Sequence, residues 1–197
     1  MFIRKRFGGA VGKRRSIFRA VGIAAAAVVF CVGCGNPGGS GGDKDEGGDG
    51  RDNGGGGGGG DNSYVYSGGT VKIGNQTWMA RNLDRATTNS VCYNNSADSC
   101  AKYGRLYNWN DAKTACPSGW HLPTNAEWDA LMTAVGGSST AGRKLKSTSG
   151  WYNNGNGTDD YGFSALPGGH GNSDGNFDYA GYYGYWWSAT EDSADYA

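Results

Sequence analysis

The sequence predicts an α+β domain, two helices packed on a small, loop-rich antiparallel sheet, behind a disordered N-terminal third. Three observations predict it. A strand pair joined by a two-residue Gly-Asn turn opens the domain at residues 70–79. Two stretches of helical periodicity follow, at 103–115 and 124–135. From residue 148 the chain is Gly, Asn, Asp and aromatics with few aliphatics, the texture of loops between short strands.

The N-terminal third divides in two. Arg4, Lys5, Arg6, Lys13, Arg14, Arg15 and Arg19 precede an apolar run from Ala20 to Val32, which small residues and Cys34 close. That is the order of a secretory signal. The run of about 13 residues is shorter than the ~20 a spanning helix needs. CVGC at 31–34 resembles a bacterial lipobox, with Cys31 where Leu is usual. Residues 1–33 are therefore expected to be a lipoprotein signal peptide and Cys34 the lipidated residue. Several acyl chains on it, palmitate among them, would hold the protein to the cell outer membrane. An ordinary signal cleaved elsewhere, or an uncleaved anchor, is the alternative. Residues 34–61 hold the lipidated Cys and a Gly/Asp-rich spacer with no side chain large enough to offset the entropy of ordering.

The 18 basic and 18 acidic residues balance only in the precursor. Seven basic residues lie before Cys34 and no acidic one does, so a chain processed there carries 11 against 18. So acidic a product has no basic stripe for a phosphate backbone, which argues against nucleic acid as a partner.

Residues 62–197 are read as the domain. Val71 and Ile73 alternate with Thr70 and Lys72, Gly74-Asn75 turns, and Gln76–Met79 returns. Leu106, Trp109, Ala112 and Lys113 recur at helical spacing, and Pro117 stops that run. Thr124 and Glu127 form a T-x-x-E capping box, and Trp128, Leu131, Met132 and Val135 make one apolar stripe ended by Gly136-Gly137. A short helical turn is expected around Arg143–Ser147. Phe163, Leu166 and one of the pair Trp186-Trp187 are the expected buried anchors of the rest.

VKIGNQTWMARNL, KYGRLYNW, ACPSGWHLPTNAEWDAL, GTDDYGFSALPGG and GYWWSAT, in this order, resemble the Fibrobacter succinogenes major paralogous domain over roughly residues 64–191. The resemblance implies an exported bacterial module with a C-type-lectin-like fold and no established catalytic activity. It also implies further strands past residue 197, the last bearing a Cys, so that 62–197 reads as a C-terminally truncated domain.

Cys92 and Cys100, eight apart across an Asn/Ser/Asp loop, are the expected disulfide in an oxidising compartment. Cys116 is then left unpaired within the chain, and the resemblance implies a partner in the strands beyond. A zinc site of three Cys with His121 is disfavoured because no C-x₂-C pair occurs. A Cys116–His121 nucleophile–base pair lacks an evident orienting group. Asp159 and Asp160 are candidate calcium ligands, with a plain aspartate turn the favoured reading; no other cofactor is indicated. Adjacent carboxylates do not make the spaced pair of a glycosidase.

The expected function is therefore non-enzymatic: a surface-anchored lipoprotein whose domain binds an extracellular glycan or protein. The expected surface is Tyr182, Tyr183 and Tyr185, within a Gly- and aromatic-rich stretch near residues 176–187, since tyrosines offer large contact area at low entropic cost. The rival class is a structural or adhesive surface protein with no defined ligand site; a hydrolase ranks below both.

Overall fold

A computed structural model of the chain describes residues 26–33 and 66–191. The described residues form an α+β domain of four α-helices and three small antiparallel sheets. Among them no helix is long and apolar enough to cross a membrane.

The opening hairpin forms as its sequence dictates. Strands β3 (Thr70–Ile73) and β4 (Gln76–Met79) pair with Ile73 opposite Gln76, which leaves Gly74 and Asn75 as the turn. Gly74 takes φ 61° while Asn75 keeps a negative φ, the pattern of a type II′ turn that needs glycine first. Trp78 and Met79 go to the core and Lys72 to solvent.

An inner strand of the central sheet comes from an unexpected place. Two short strands, β1 (Ala27–Val28) and β2 (Val32–Gly33), lie in the apolar run assigned above to the signal peptide. β2 sits between β4 and β6 (Trp120–His121), antiparallel to both, so the sheet order is β3-β4-β2-β6. β1 pairs with β5 (Leu106–Tyr107). Every residue from Ala27 to Val32 is fully buried. The physical reason is composition. Val28, Val29, Phe30 and Val32 are β-branched or aromatic, and a short continuous apolar run suits a strand buried on both faces as well as it suits a membrane. The rest of residues 1–33, Cys34 and the spacer to residue 61 lie outside the described residues.

The helices depart from expectation at the first site and hold at the second. Residues 103–115 are not one helix. Gly104 at φ 75° ends α1 (Ala97–Tyr103), β5 follows, and α2 runs only from Trp109 to Ala115, capped by Asn108 Oδ1 accepting from Asp111 N at 2.9 Å. Helix α3 (Asn125–Ala134) has the full capping box at Thr124 and buries Trp128 and Leu131. Met132 is only partly buried. Gly137 at φ 91° then opens α4 (Ser138–Leu145), longer and earlier than the turn expected at Arg143–Ser147, with Ala141 and Leu145 one turn apart in the core.

The last hairpin pairs β7 (Gly168–Gly171) with β8 (Phe177–Ala180). The aromatic core lies between it, the central sheet and α3. Phe30 stacks on Phe163 at 4.5 Å between centroids, and Trp78 meets Trp128 at 4.9 Å. Trp186 and Trp187 are both buried, not one of the two, because each indole NH finds an acceptor: Asn82 Oδ1 at 2.9 Å and Tyr107 O at 2.7 Å. Leu166, expected as an anchor, is only half-buried.

Candidate functional site

The β7–β8 hairpin and the loop that follows it present the tyrosines singled out above, but not all to solvent. Tyr182 is 49 % exposed and Tyr183 is half-buried, whereas Tyr185 is buried at 6 %. Tyr185 is therefore corrected from surface to core: its ring stands edge-on to the buried His170 at 4.7 Å. The chain here curls instead of running as a strand with alternating faces, so residue parity does not decide exposure.

The exposed face gains two tyrosines that the sequence analysis did not name as site residues. Tyr152 is 61 % and Tyr179 49 % exposed. Tyr152 meets Tyr182 edge-on at 4.9 Å, and Tyr179 meets Tyr183 edge-on at 5.3 Å. Gly181 permits the first contact. At φ 84° its carbonyl accepts from Tyr152 N at 2.8 Å, and a Cβ there would fall 2.4 Å from the Tyr152 ring. Tyr179 lies within the stretch 176–187 already noted, whereas Tyr152 arrives from a loop some thirty residues earlier, and only the fold joins them.

Tyr179 holds a left-handed backbone, φ 67°, rare for a bulky residue. Its carbonyl accepts from both Tyr182 N and Tyr183 N at 3.0 Å, which fixes that conformation. Strain kept in place by surrounding hydrogen bonds gathers at ligand-contacting sites. Behind it, His170 Nε2 lies 2.9 Å from Asn172 Oδ1, and Asn172 Nδ2 donates to Asp178 Oδ2 at 2.7 Å. His170 also stacks beneath Tyr179 at 5.6 Å. The arrangement is two pairs of phenol rings, Tyr152 with Tyr182 and Tyr179 with Tyr183, the second backed by the hydrogen bonds that link His170, Asn172 and Asp178. Rings so presented can stack on sugar faces or on apolar peptide side chains while their hydroxyls bond polar groups.

The structure places the remaining candidates as follows. Asp159 takes φ 48° and its two carboxylate oxygens accept from Ser164 N at 2.7 Å and Ser164 Oγ at 2.6 Å, a turn lock. Asp160 is exposed, and among the described residues no group of three or more His, Cys, Asp or Glu is placed to hold a metal ion. Cys92 and Cys100 are joined, and Cys116 is not unpaired as expected but bonded to Cys31. The reason is that β2 lies against β6, which sets Cys31 beside the residue that ends α2. A disulfide sulfur is no nucleophile, and His121 Nε2 lies instead 2.6 Å from Glu127 Oε1.

Residues 71–197 match the model of one protein family, described as the Fibrobacter succinogenes major domain. No curated protein and no solved structure matches the chain.

Proposed function

The chain belongs to the Fibrobacter succinogenes major domain family, and from that premise we propose that it is a lipid-anchored surface protein whose domain binds an extracellular glycan or protein without catalysing a reaction. The observation that carries binding is the tyrosine face. Three large aromatic side chains at about half exposure or more, each in edge contact with another tyrosine ring, form an aromatic patch at the β7–β8 hairpin and the loops beside it, and patches of that kind mark interaction sites. Joint replacement of Tyr152 and Tyr182 by Ala is expected to abolish capture on an array of glycans and host proteins while leaving the melting temperature nearly unchanged. A parallel loss of stability would assign these rings to packing and support the structural, adhesive alternative.

The anchor rests on the basic stretch, the apolar run and Cys34. The Cys92–Cys100 disulfide, which cleavage at Cys34 leaves intact, suits a protein that matures in an oxidising compartment. Labelled fatty acid is expected to enter the wild type and not Cys34→Ser; equal labelling of both would sink the anchor. In the uncleaved chain the Cys31–Cys116 disulfide leaves Cys116 no thiolate, which supports the absence of catalysis for that form. Hydrolysis of glycans or esters that disappears in His121→Ala or Asp160→Asn would overturn it.

A second reading of residues 1–33 has one observation in its favour. Residues 26–33 are part of the core, so an uncleaved chain keeps a complete sheet, whereas cleavage at Cys34 removes β1 and β2. The intact mass of the membrane-extracted protein separates the two.

A further inference from the structure

We propose that the cleft holding residues 26–33, walled by β4 and Leu83 on one side and by residues 185–187 on the other, is a strand-acceptor site, which binds an extended apolar peptide carrying an aromatic residue followed by cysteine, and which latches that peptide through Cys116. In the folded chain the site is filled from within. Residues 26–33 are separated from Tyr66 by 32 residues of sequence, so the segment reaches the cleft as a tethered ligand does.

The cleft supplies every feature of strand addition, in which main-chain hydrogen bonds give affinity and side-chain pockets give specificity. On one side Met79 N donates to Cys31 O at 3.1 Å and Leu83 N to Val29 O at 2.8 Å. On the other, Val28 N donates to Tyr185 O at 3.1 Å and Trp187 N to Val28 O at 3.3 Å. At the upstream end Ala26 and Gly171 exchange both bonds, at 3.1 and 3.0 Å. The pocket for the aromatic is built from Phe163, 4.5 Å from Phe30, and Trp186, 6.1 Å from it. Gly168 keeps the wall low beside Val28, where a Cβ would stand 3.2 Å from a Val28 methyl. The next residue, Cys31, meets Cys116. Cleavage at Cys34 would vacate this cleft and leave Cys116 a thiol.

The latch closes by thiol–disulfide exchange. The Cys116 thiolate attacks the peptide sulfur of a peptide–glutathione mixed disulfide; the Cys116–peptide S–S bond forms, the peptide–glutathione S–S bond breaks, and glutathione leaves as its thiolate with no net oxidation.

The test uses the full chain with Phe30→Asp, Cys31→Ser and Cys34→Ser, which disables the resident strand and leaves Cys116 as the free thiol. The probe is the peptide Ala-Ala-Val-Val-Phe-Cys-Val-Gly, extended by two lysines for solubility and supplied as its glutathione mixed disulfide. Capture at Cys116, read by mass and peptide mapping, is expected at least tenfold faster than with the same peptide bearing Asp in place of Phe. The amides of Met79 and Leu83 should regain hydrogen-exchange protection on capture. If the variant does not fold alone, its recovery of cooperative melting when refolded with the Phe peptide and not the Asp peptide is the supporting result. Equal capture of both peptides would reduce the effect to thiol reactivity, and neither capture nor rescue would remove the site; both overturn the proposal. The assay involves no processing, so its outcome is independent of lipidation at Cys34.

Discussion

Both carboxylate oxygens of Glu127 are engaged. Oε2 accepts from Thr124 N at 2.7 Å and Thr124 Oγ1 at 2.9 Å, and Oε1 lies 2.6 Å from His121 Nε2. Burial pushes the carboxyl up, but the Thr124 backbone NH, the His121 ring and the Thr124 hydroxyl together outweigh it and hold the group below its usual range. A carboxyl depressed on folding contributes stability that is present above its unfolded value near 4.5 and is lost as pH falls through the lower folded value. Glu127→Gln is therefore expected to lose about 1 kcal/mol at neutral pH, as cap removals do, and to show a shallower decline of melting temperature between neutrality and strong acid. The capping box was legible because its two residues, Thr124 and Glu127, stand only three positions apart. Tyr185 was not, because its burial depends on where His170 stands, and no local pattern in the Gly- and Tyr-rich stretch encodes that.

Residues 26–33 show how one composition serves two environments at the scale of an element. The run was read as a targeting segment by length and flanking charge, and in the fold it is a buried strand pair. Nothing local distinguishes the two, since both ask only for consecutive apolar side chains. Its neighbour in difficulty is the stretch 103–115, where Leu106, Trp109 and Ala112 fit a helical spacing that Gly104 and the pairing of β5 with β1 override. The hairpin of β3 and β4 was legible because its turn and alternation lie within ten residues. Two measurements weigh the buried strand. Phe30→Ala should cost ~3–5 kcal/mol, the range for deleting a large core aromatic, and should shift the denaturation midpoint accordingly. Cys31→Ser opens a loop of 85 residues; the chain-entropy treatment gives a loss of ~4–5 kcal/mol. A midpoint unchanged by either substitution would show that the segment is not docked in solution.

At the scale of the whole molecule, the packed core and the exposed phenols proposed for binding are set apart. The central sheet, α3 and the stacked indoles hold the fold, and the β7–β8 end carries the exposed phenols. That separation predicts that substitutions at Tyr152, Tyr179 and Tyr182 change binding with little effect on unfolding, whereas Trp78→Ala or Trp128→Ala should cost ~3–5 kcal/mol and abolish expression of folded protein. Melting curves of the five variants under one buffer decide it. The α+β class was legible from the order of hairpin, helices and loops. The candidate site was legible only in part, because Tyr152 meets Tyr182 through Gly181 and Tyr179 meets Tyr183 through the curl at Tyr179, contacts set by tertiary packing.

The strand at residues 26–33 is among the first parts of the chain to be synthesised, yet its partners include Trp120-His121 and Trp186. At a ribosomal rate of ~5–20 residues per second, roughly 8–30 s separate the synthesis of Phe30 from that of Trp186. Throughout that interval the segment is an apolar peptide with no completed core to enter. If the segment is an export signal, as proposed, an export machine that reads apolar N-terminal segments would meet it in the state it recognises, while a chain that escaped capture would fold around the same residues and hide them. Engagement and translation would then compete, and slowing elongation should favour export.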